Sequence, residues 1–343
     1  MKELMNLQLF AFTPQVTPGS MDVQPVNVTK QESLSATMKT FYDTTLLENA
    51  RESMVFTQFG KKQPMKGNKV EWRKFNTFKK AMTPLQEGVI PTGQNFGMTS
   101  IEAETSQHGD FTAVSDRLEL ESYDDVIFGA TEEMGAVSGE TYDTLTRNVL
   151  VAGNSVMYAE NTAEGMEGEI PTDRHGLETM CLMTPKMLHK AAVWLKKNKA
   201  PKIDGAYVAL MHPSVAYDLK ESKEWKEFHK YNAVEPIFKD EVGMMHGVRV
   251  IETNEAKIWD NAGPDGSEKA YCTLVLGKDA FGVLDPQGEG MEMIIKTKGQ
   301  IGGPLEQFST IGYKFCHGAK ILYQERMLRI ESRSTLAAED EVN

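Results

Sequence analysis

Apolar positions change their spacing several times along this chain, and each change marks a new element. Met1 to Val28 shows no sustained period and carries Pro14, Pro18 and Pro25, which reads as an arm, extended or ordered only by neighbours. Leu34, Met38 and Phe41, then Leu46, Leu47, Ala50 and Met54, recur at helical spacing and predict two short helices or one broken near Asp43. Lys69 to Phe78, with Val70, Trp72, Phe75 and Phe78, and Thr105 to Glu121, with Phe111, Ala113, Leu118 and Leu120, predict the strands of an extended hairpin. Each has a phase slip that suits a bulge. Between them lie Pro84, Gly88, Pro91, Gly93 and Gly97, in a long irregular stretch of the kind that is functional or mobile.

From Ser122 to Tyr158 the pattern is helical throughout. Val126, Ala130, Met134, Val137, Thr141, Leu145, Val149, Ala152 and Val156 step by three or four, and Ser122 or Asp124 could cap the start. At about 1.5 Å per residue such a helix exceeds roughly 50 Å, a length that suits a strut. After the glycine- and acid-rich connection Asn161 to Arg174 the pattern becomes α/β. Thr184 and Pro185 open a helix to about Lys199, Tyr207 to Met211 is a buried strand, and Pro213 to His229 is a second helix. Val248 to Glu252, Cys272 to Leu276 and Met291 to Lys296 read as strands, with a turn at Asn261 to Ser267. Ile311 to Ser334 returns to strand-like sequence, and the acidic tail Ala337 to Asn343 is expected to fray.

Bulk properties narrow the class. A chain of 343 residues exceeds one ordinary domain, and 40% hydrophobic with 25% charged residues is the balance of a folded protein. No apolar run approaches the roughly 18 residues needed to cross a bilayer. Cys181, Cys272 and Cys316 are odd in number and far apart, which fits a reducing compartment better than a disulfide framework. The net charge of −12 argues against gripping nucleic acid as a main task, because that affinity comes from neutralising phosphates. It leaves open enclosing DNA without holding it.

Catalytic signatures are missing from the sequence. Gly299 to Gly303 is glycine-rich but lacks the lysine and strand-to-helix setting of a phosphate loop, and a turn is the better reading. The seven histidines are scattered, and the adjacent Cys316 and His317 point to opposite faces of a strand. Asp173, Arg174 and His175 read as a polar loop. No catalytic, cofactor or metal residue is assigned.

Charge is the uneven feature. From Lys61 to Lys80 eight cations (Lys61, Lys62, Lys66, Lys69, Arg73, Lys74, Lys79 and Lys80) face Glu71 alone, a balance of +7. From Ala81 to Asp143 thirteen acids face Arg117 alone, a balance of −12. Either the segments neutralise one another within the chain, with exposed pairs worth about 0–1 kcal/mol each, or a basic limb lies along the acidic helix of a neighbouring copy. DNA contact by the basic segment is disfavoured by the acids crowding the same hairpin. The candidate assembly contacts are Lys66, Lys69, Arg73, Lys74, Lys79 and Lys80 on one side, and Glu119, Glu121, Asp124, Asp125, Glu132 and Glu133 on the other.

The order of elements (arm, helix, long hairpin loop, very long helix, α/β region, return strands) resembles the HK-97-type fold of tailed-bacteriophage major capsid proteins. Local stretches resemble a narrower family, the major capsid proteins similar to that of phage N-four. These are Met5 to Ala11, Leu46 to Ala50, Phe56 to Gly60, Val70 to Lys74, Pro84 to Gly88 and Met211 to Ser214. The resemblance implies an α+β fold: an N-terminal arm (1–30), N-terminal helices (31–65), an extended β-hairpin loop (66–121), a peripheral domain with the spine helix (122–200), an α/β axial domain (201–300), and return strands of the peripheral domain with the tail (301–343). It implies a non-enzymatic shell protein without cofactors or a membrane, forming hexamers and pentamers of itself. These close into an icosahedral head around double-stranded DNA, assembled in the host bacterial cytoplasm and ending in the virion capsid. Scaffolding, portal and decoration proteins are the implied partners; about thirty residues before the first helix are too few for a built-in scaffolding domain. Lys79 and Lys80 sit in the loop, but no partner for a covalent crosslink can be matched. Two other readings stand beside this one: an encapsulin-like compartment of the same fold, and an α/β hydrolase or transferase around His175 or His212, which no motif supports.

Overall fold

A computed structural model describes residues 54–343 apart from 66–68, 76–77, 79, 81, 83, 86, 89, 91–92, 123–125, 164–165, 167, 232–240, 287–290, 298, 302–304, 306 and 339. The expected arm and most of the helical segment 31–65 therefore lie outside the described residues, and the described end of that segment is not α-helical but a 3-10 turn (Phe56–Phe59) and a strand (Lys61–Met65) that pairs with Gly282 to Pro286. A 3-10 turn (Phe56–Phe59) leads into β1 (Lys61–Met65), β2 (Lys69–Phe75), β3 (Met98–Glu104), β4 (Ser106–Ser115), helix α1 (Asp116–Glu121), helix α2 (Val126–Val151) and β5 (Val156–Tyr158). Then follow α3 (Pro185–Lys197), β6 (Tyr207–Met211), α4 (Pro213–Glu221), α5 (Lys223–Tyr231), β7 (Glu241–Met245), β8 (Val248–Glu252), β9 (Ile258–Ala262) and β10 (Glu268–Leu276). The chain closes with β11 (Phe281–Pro286), β12 (Glu292–Lys296), β13 (Phe308–His317), β14 (Ala319–Ile321) and β15 (Met327–Ser332).

The chain divides into two compact units. The first takes Met1–Met54, Gln107–Tyr142 and Gly288–Cys316. In it the sheet β12-β13-β4 packs Tyr313 and Phe315 toward α2, with Thr141 Oγ1 3.5 Å from Tyr313 Oη and the Tyr142 ring 5.3 Å from Phe315. Gly312 lets β4 approach: a Cβ there would stand 2.7 Å from both the Asp110 carbonyl and Phe111.

The second unit takes Val55–Ser106, Asp143–Gln287 and His317–Asn343. Its mixed seven-stranded sheet runs β5-β15-β10-β6-β8-β7, with β9 paired to β10. Every residue of the central strand β6 is buried, as expected for a strand covered on both faces. Met187, Leu188, Ala191, Ala192 and Leu195 give α3 an apolar stripe at helical spacing, and this stripe enters the same core. Pro185 at the first turn costs no hydrogen bond, which is why the helix begins there.

Asp143 ties the second unit's first segment to α2. Its buried carboxylate accepts the backbone N–H groups of Val55 (2.9 Å), Phe56 (3.0 Å) and Thr57 (3.0 Å), and the Thr57 hydroxyl (2.9 Å). Burial pushes the Asp143 carboxyl above its usual range, and these four hydrogen bonds oppose that shift.

Several elements depart from the sequence reading. The long helix runs Val126–Val151, about 39 Å rather than over 50 Å. Val156 fits the helical period, but Val156 to Tyr158 form β5 and pair in parallel with β15. Arg329 bonds the Val151 carbonyl at the helix end, where a cation suits the dipole. Ser122 is extended and closes α1 through its N–H to the Leu118 carbonyl (2.9 Å), and Asp124, the other expected cap, lies outside the described residues. Leu118 and Leu120 lie in α1 and not in a strand, because Ser115 Oγ accepts the Leu118 N–H and starts a helix there. The hairpin partner of β2 is β3, drawn from the stretch read as irregular, while β4 pairs with β13. The helix expected over Pro213 to His229 breaks at Ser222, whose hydroxyl accepts the Trp225 N–H (3.3 Å) and caps α5.

The tail is docked rather than frayed. Asp340 accepts from Ser214 Oγ (2.6 Å) and Tyr271 Oη (2.5 Å), and Asn343 bonds both the Ile258 N–H (3.1 Å) and the Ala256 carbonyl (3.1 Å). Burial alone would raise the Asp340 carboxyl. Hydrogen bonds from Ser214 and Tyr271 outweigh it, aided by His212 and Lys269, and hold it below its usual range.

Two outcomes follow. Asp143→Ala leaves two buried N–H donors and the half-buried N–H of Val55 without an acceptor and should cost the unassembled chain roughly 3 kcal/mol or more in denaturant unfolding; a loss under about 0.5 kcal/mol would contradict this anchor. The Asp340 contribution is present above the ordinary carboxylate pKa and is lost as pH falls through the lower folded value. Asp340→Asn should therefore lower Tm at neutral pH and flatten the fall of Tm with acid.

Candidate assembly interface

The β2–β3 hairpin belongs to the second unit and pairs from Lys69↔Glu104 to Phe75↔Met98. Alternation divides its side chains between two faces. Val70, Trp72, Ile101 and Ala103 face inward and pack on Leu284, Leu322 and Tyr323. Gly282 makes room: a Cβ there would meet the Trp72 ring at 2.7 Å. Lys74 reaches Glu325 (3.5 Å) and lies 4.5 Å over the Tyr323 ring, which Arg326 also covers at 3.8 Å. The hairpin is thus rooted by an apolar plug and a cation–aromatic cluster.

Its other face is exposed and changes character along its length. At the root Lys69 pairs with Glu104; this hydrogen bond raises the Lys69 pKa and lowers that of Glu104, and both side chains are exposed. Arg73 sits 3.6 Å from Glu71. Toward the tip the charges give way to aromatics. Phe75, Phe78 and Phe96 are 57%, 52% and 64% exposed, and their rings cluster at 5.0 Å (Phe75 to Phe96) and 6.0 Å (Phe78 to Phe96). Met82, Leu85, Ile90 and Met98 are exposed beside them in sequence. A contiguous exposed apolar group of this kind marks a contact surface.

The other candidates separate by unit. Lys69, Arg73 and Lys74 have partners within the second unit, as above, and Lys80 is exposed. In the first unit Glu121 pairs with Arg117 (2.8 Å) within α1, and Glu119 is exposed. Glu132 and Glu133 are exposed on α2, one turn before the exposed Val137. Lys66, Lys79, Asp124 and Asp125 lie outside the described residues. Sequence reasoning weighed the charges and passed over the aromatics. The signal was present, as Phe75, Phe78 and Phe96 stand in a stretch otherwise rich in polar residues, glycine and proline.

The rival catalytic centres receive structural jobs. His212 Nδ1 accepts the Ser214 N–H (3.3 Å) as the cap of α4, and burial lowers its pKa against the pull of Asp340. His175 is exposed on a loop beside Arg174, whose guanidinium clamps the buried Glu331 (2.8 and 2.9 Å) and stacks on Trp259. Among the described residues no group of three or more His, Cys, Asp or Glu is placed to hold a metal.

A root built this way makes a prediction. Gly282→Ala forces the Trp72 ring to move, which should destabilise the chain by about 1–3 kcal/mol and speed proteolysis between Lys69 and Glu104; unchanged cleavage would remove Trp72 as the anchor.

Comparison with known proteins places this geometry. Residues 100–283 match the family model described as phage capsid protein. No curated protein sequence matches the chain. Among solved structures, the capsid of Ralstonia phage GP4 is similar over 81% of this chain and 87% of that one, at 15% identity and TM-score 0.62. The capsid of cyanophage Pam1 covers 95% of this chain and 100% of its own, at 11% identity and TM-score 0.63. An encapsulin from Synechococcus elongatus covers 85% and 92%, at 11% identity and TM-score 0.53. These likenesses carry the fold, the family match carries the class, and together they identify the chain as a member of the phage capsid protein family with the HK-97-type fold, a structural shell protein and not an enzyme.

Proposed function

We propose that the chain is the major capsid protein of a tailed phage, assembling in the host cytoplasm into hexamers and pentamers that close an icosahedral head around double-stranded DNA. The observation that carries this reading is the two-stranded hairpin with an outward aromatic cluster. A ribbon of two strands is marginal alone in water, and three exposed phenylalanines at its far end are tolerated where another copy covers them.

In this reading β2–β3 is the extended loop, α2 the spine of the peripheral domain, and the seven-stranded sheet the axial domain. Residues 1–30 are the arm. The narrower kinship to N-four-like capsid proteins rests on the stretches quoted from the sequence. The loop docks on a neighbouring copy near the acidic face of α2, where Val137 is exposed beside Glu133. Aromatic burial supplies the affinity; Arg73, Lys80 and the acids orient the approach. The overall charge of −12 keeps packaged DNA from adhering to the wall. Scaffolding, portal and decoration proteins complete the set of partners.

An encapsulin-like compartment shares the fold, and the Synechococcus likeness supports it as a second reading. The family match favours the phage head. Particles carrying genome-length double-stranded DNA distinguish the head from a compartment filled with protein.

Sedimentation of the purified full chain tests the docking. Phe75→Ser with Phe96→Ser should cut the assembled fraction at least about tenfold, the loss of roughly 1.4 kcal/mol per contact. Lys80→Glu should instead slow assembly at low salt and flatten or reverse its fall with salt between about 0.05 and 0.5 M. Normal assembly by the double variant would overturn aromatic docking.

A further inference from the structure

The hairpin β7–β8 turns through two residues only, since Met245 pairs with Val248. His246 and Gly247 both take positive φ, 54° and 79°, the geometry of a type I′ turn. Asn or Asp before glycine suits that turn best, and a histidine there accepts a left-handed backbone without the usual local benefit. A residue that breaks a local rule needs a compensating contact. His246 has one: its ring stacks on His189 of α3, with centroids 4.5 Å apart and planes 15° from parallel.

The two imidazoles come from elements that pack together, and the charged groups around them are mixed. Lys196 of α3 and Glu224 of α5 both act on His246, the lysine opposing and the glutamate favouring its charge. Lys202 Nζ lies 3.8 Å from where a Gly247 Cβ would stand. A parallel stack aims the ring nitrogens sideways rather than at a shared point, so the pair is built for ring contact and not for gripping one metal ion. Two neutral rings stack without penalty. Two protonated rings at this distance, with Lys196 and Lys202 nearby, repel.

We propose that His189 and His246 form a proton-sensitive clasp, which holds the β7–β8 tip against α3 at neutral pH and releases it in acid. Burial, His189 and Lys196 depress the His246 pKa in the docked state, and Glu224 opposes them. A released tip takes up its proton near the ordinary value of 6.5. The docked state therefore loses ground as pH falls below that value toward the depressed one. This device stands apart from loop docking, as it lies wholly within the seven-stranded sheet and its helices.

Hydrogen exchange of the full chain tests it, read at about pH 7.5 and 5.5 and corrected for intrinsic chemistry. Amides of Met244 to Arg249 should lose protection about threefold or more in acid. His189→Phe keeps a ring under His246 and removes the second charge, so its acid loss should be smaller than in the wild type, leaving the part due to burial and Lys196. His189→Lys fixes a charge and should loosen the tip at both pH values. Amides of β6 and β10 report whether each variant keeps its fold. Equal wild-type protection at both pH values, or the same acid loss in His189→Phe, would overturn the clasp.

Discussion

A single buried carboxylate sets where the second unit begins. Asp143 gathers three consecutive backbone N–H groups from Val55, Phe56 and Thr57, and so fixes the chain as it enters the 3-10 turn. Gly60 follows within van der Waals reach of Phe281 and Val283 on β11, where a Cβ would stand 2.7 Å from each. That closeness lets β1 pair with β11 in parallel. Gly282 of the same strand then opens the slot for Trp72. The direction of the extended hairpin is thus inherited, step by step, from one acid on a helix. The same acid has neighbours that share the load. Thr57 Oγ1 lies 3.4 Å from Thr146 Oγ1, which lies 3.0 Å from His317 Nε2. Burying an ionised group costs several kcal/mol unless it is fully bonded, and these partners satisfy it.

The hairpin that results is asymmetric by design of its sequence. Its root is satisfied inside the chain by an aromatic plug and short ion pairs, and its tip is left apolar and bare. In the proposed shell, stability of that tip belongs to the assembly more than to the monomer. The uneven charge of the sequence takes on a smaller part in this picture. Lys69, Lys74 and Glu121 already have partners within their own units, and exposed pairs of this kind contribute about 0–1 kcal/mol each.

Elements governed by local rules were legible in the sequence. Proline at the first turn of α3, the all-apolar run of β6 and the turn before Ser267 stand where the sequence reading put them. What required distant partners was hidden. Met98–Glu104 holds only Met98, Ile101 and Ala103 as apolar residues, and it becomes a strand because Trp72 needs Ile101 opposite it. Val156 continues the helical series from Ala152 and also alternates with Tyr158 as a strand would, and β15 decides between them. The tail is polar and looks free, but Asp340 and Asn343 find donors and acceptors on residues about seventy to a hundred and thirty positions earlier. The candidate contact surface was missed for a related reason. Charge is conspicuous in a linear reading, whereas the nearness of Phe75 to Phe96 appears only once the hairpin closes.

The central claim is that this chain is a shell subunit whose hairpin is completed by another copy. Electron cryomicroscopy of the purified particles tests it most directly. The account predicts closed icosahedral shells of hexamers and pentamers, with Phe75, Phe78 and Phe96 of each copy buried on its neighbour. A stable monomer, or a shell in which those three rings face solvent, would contradict it.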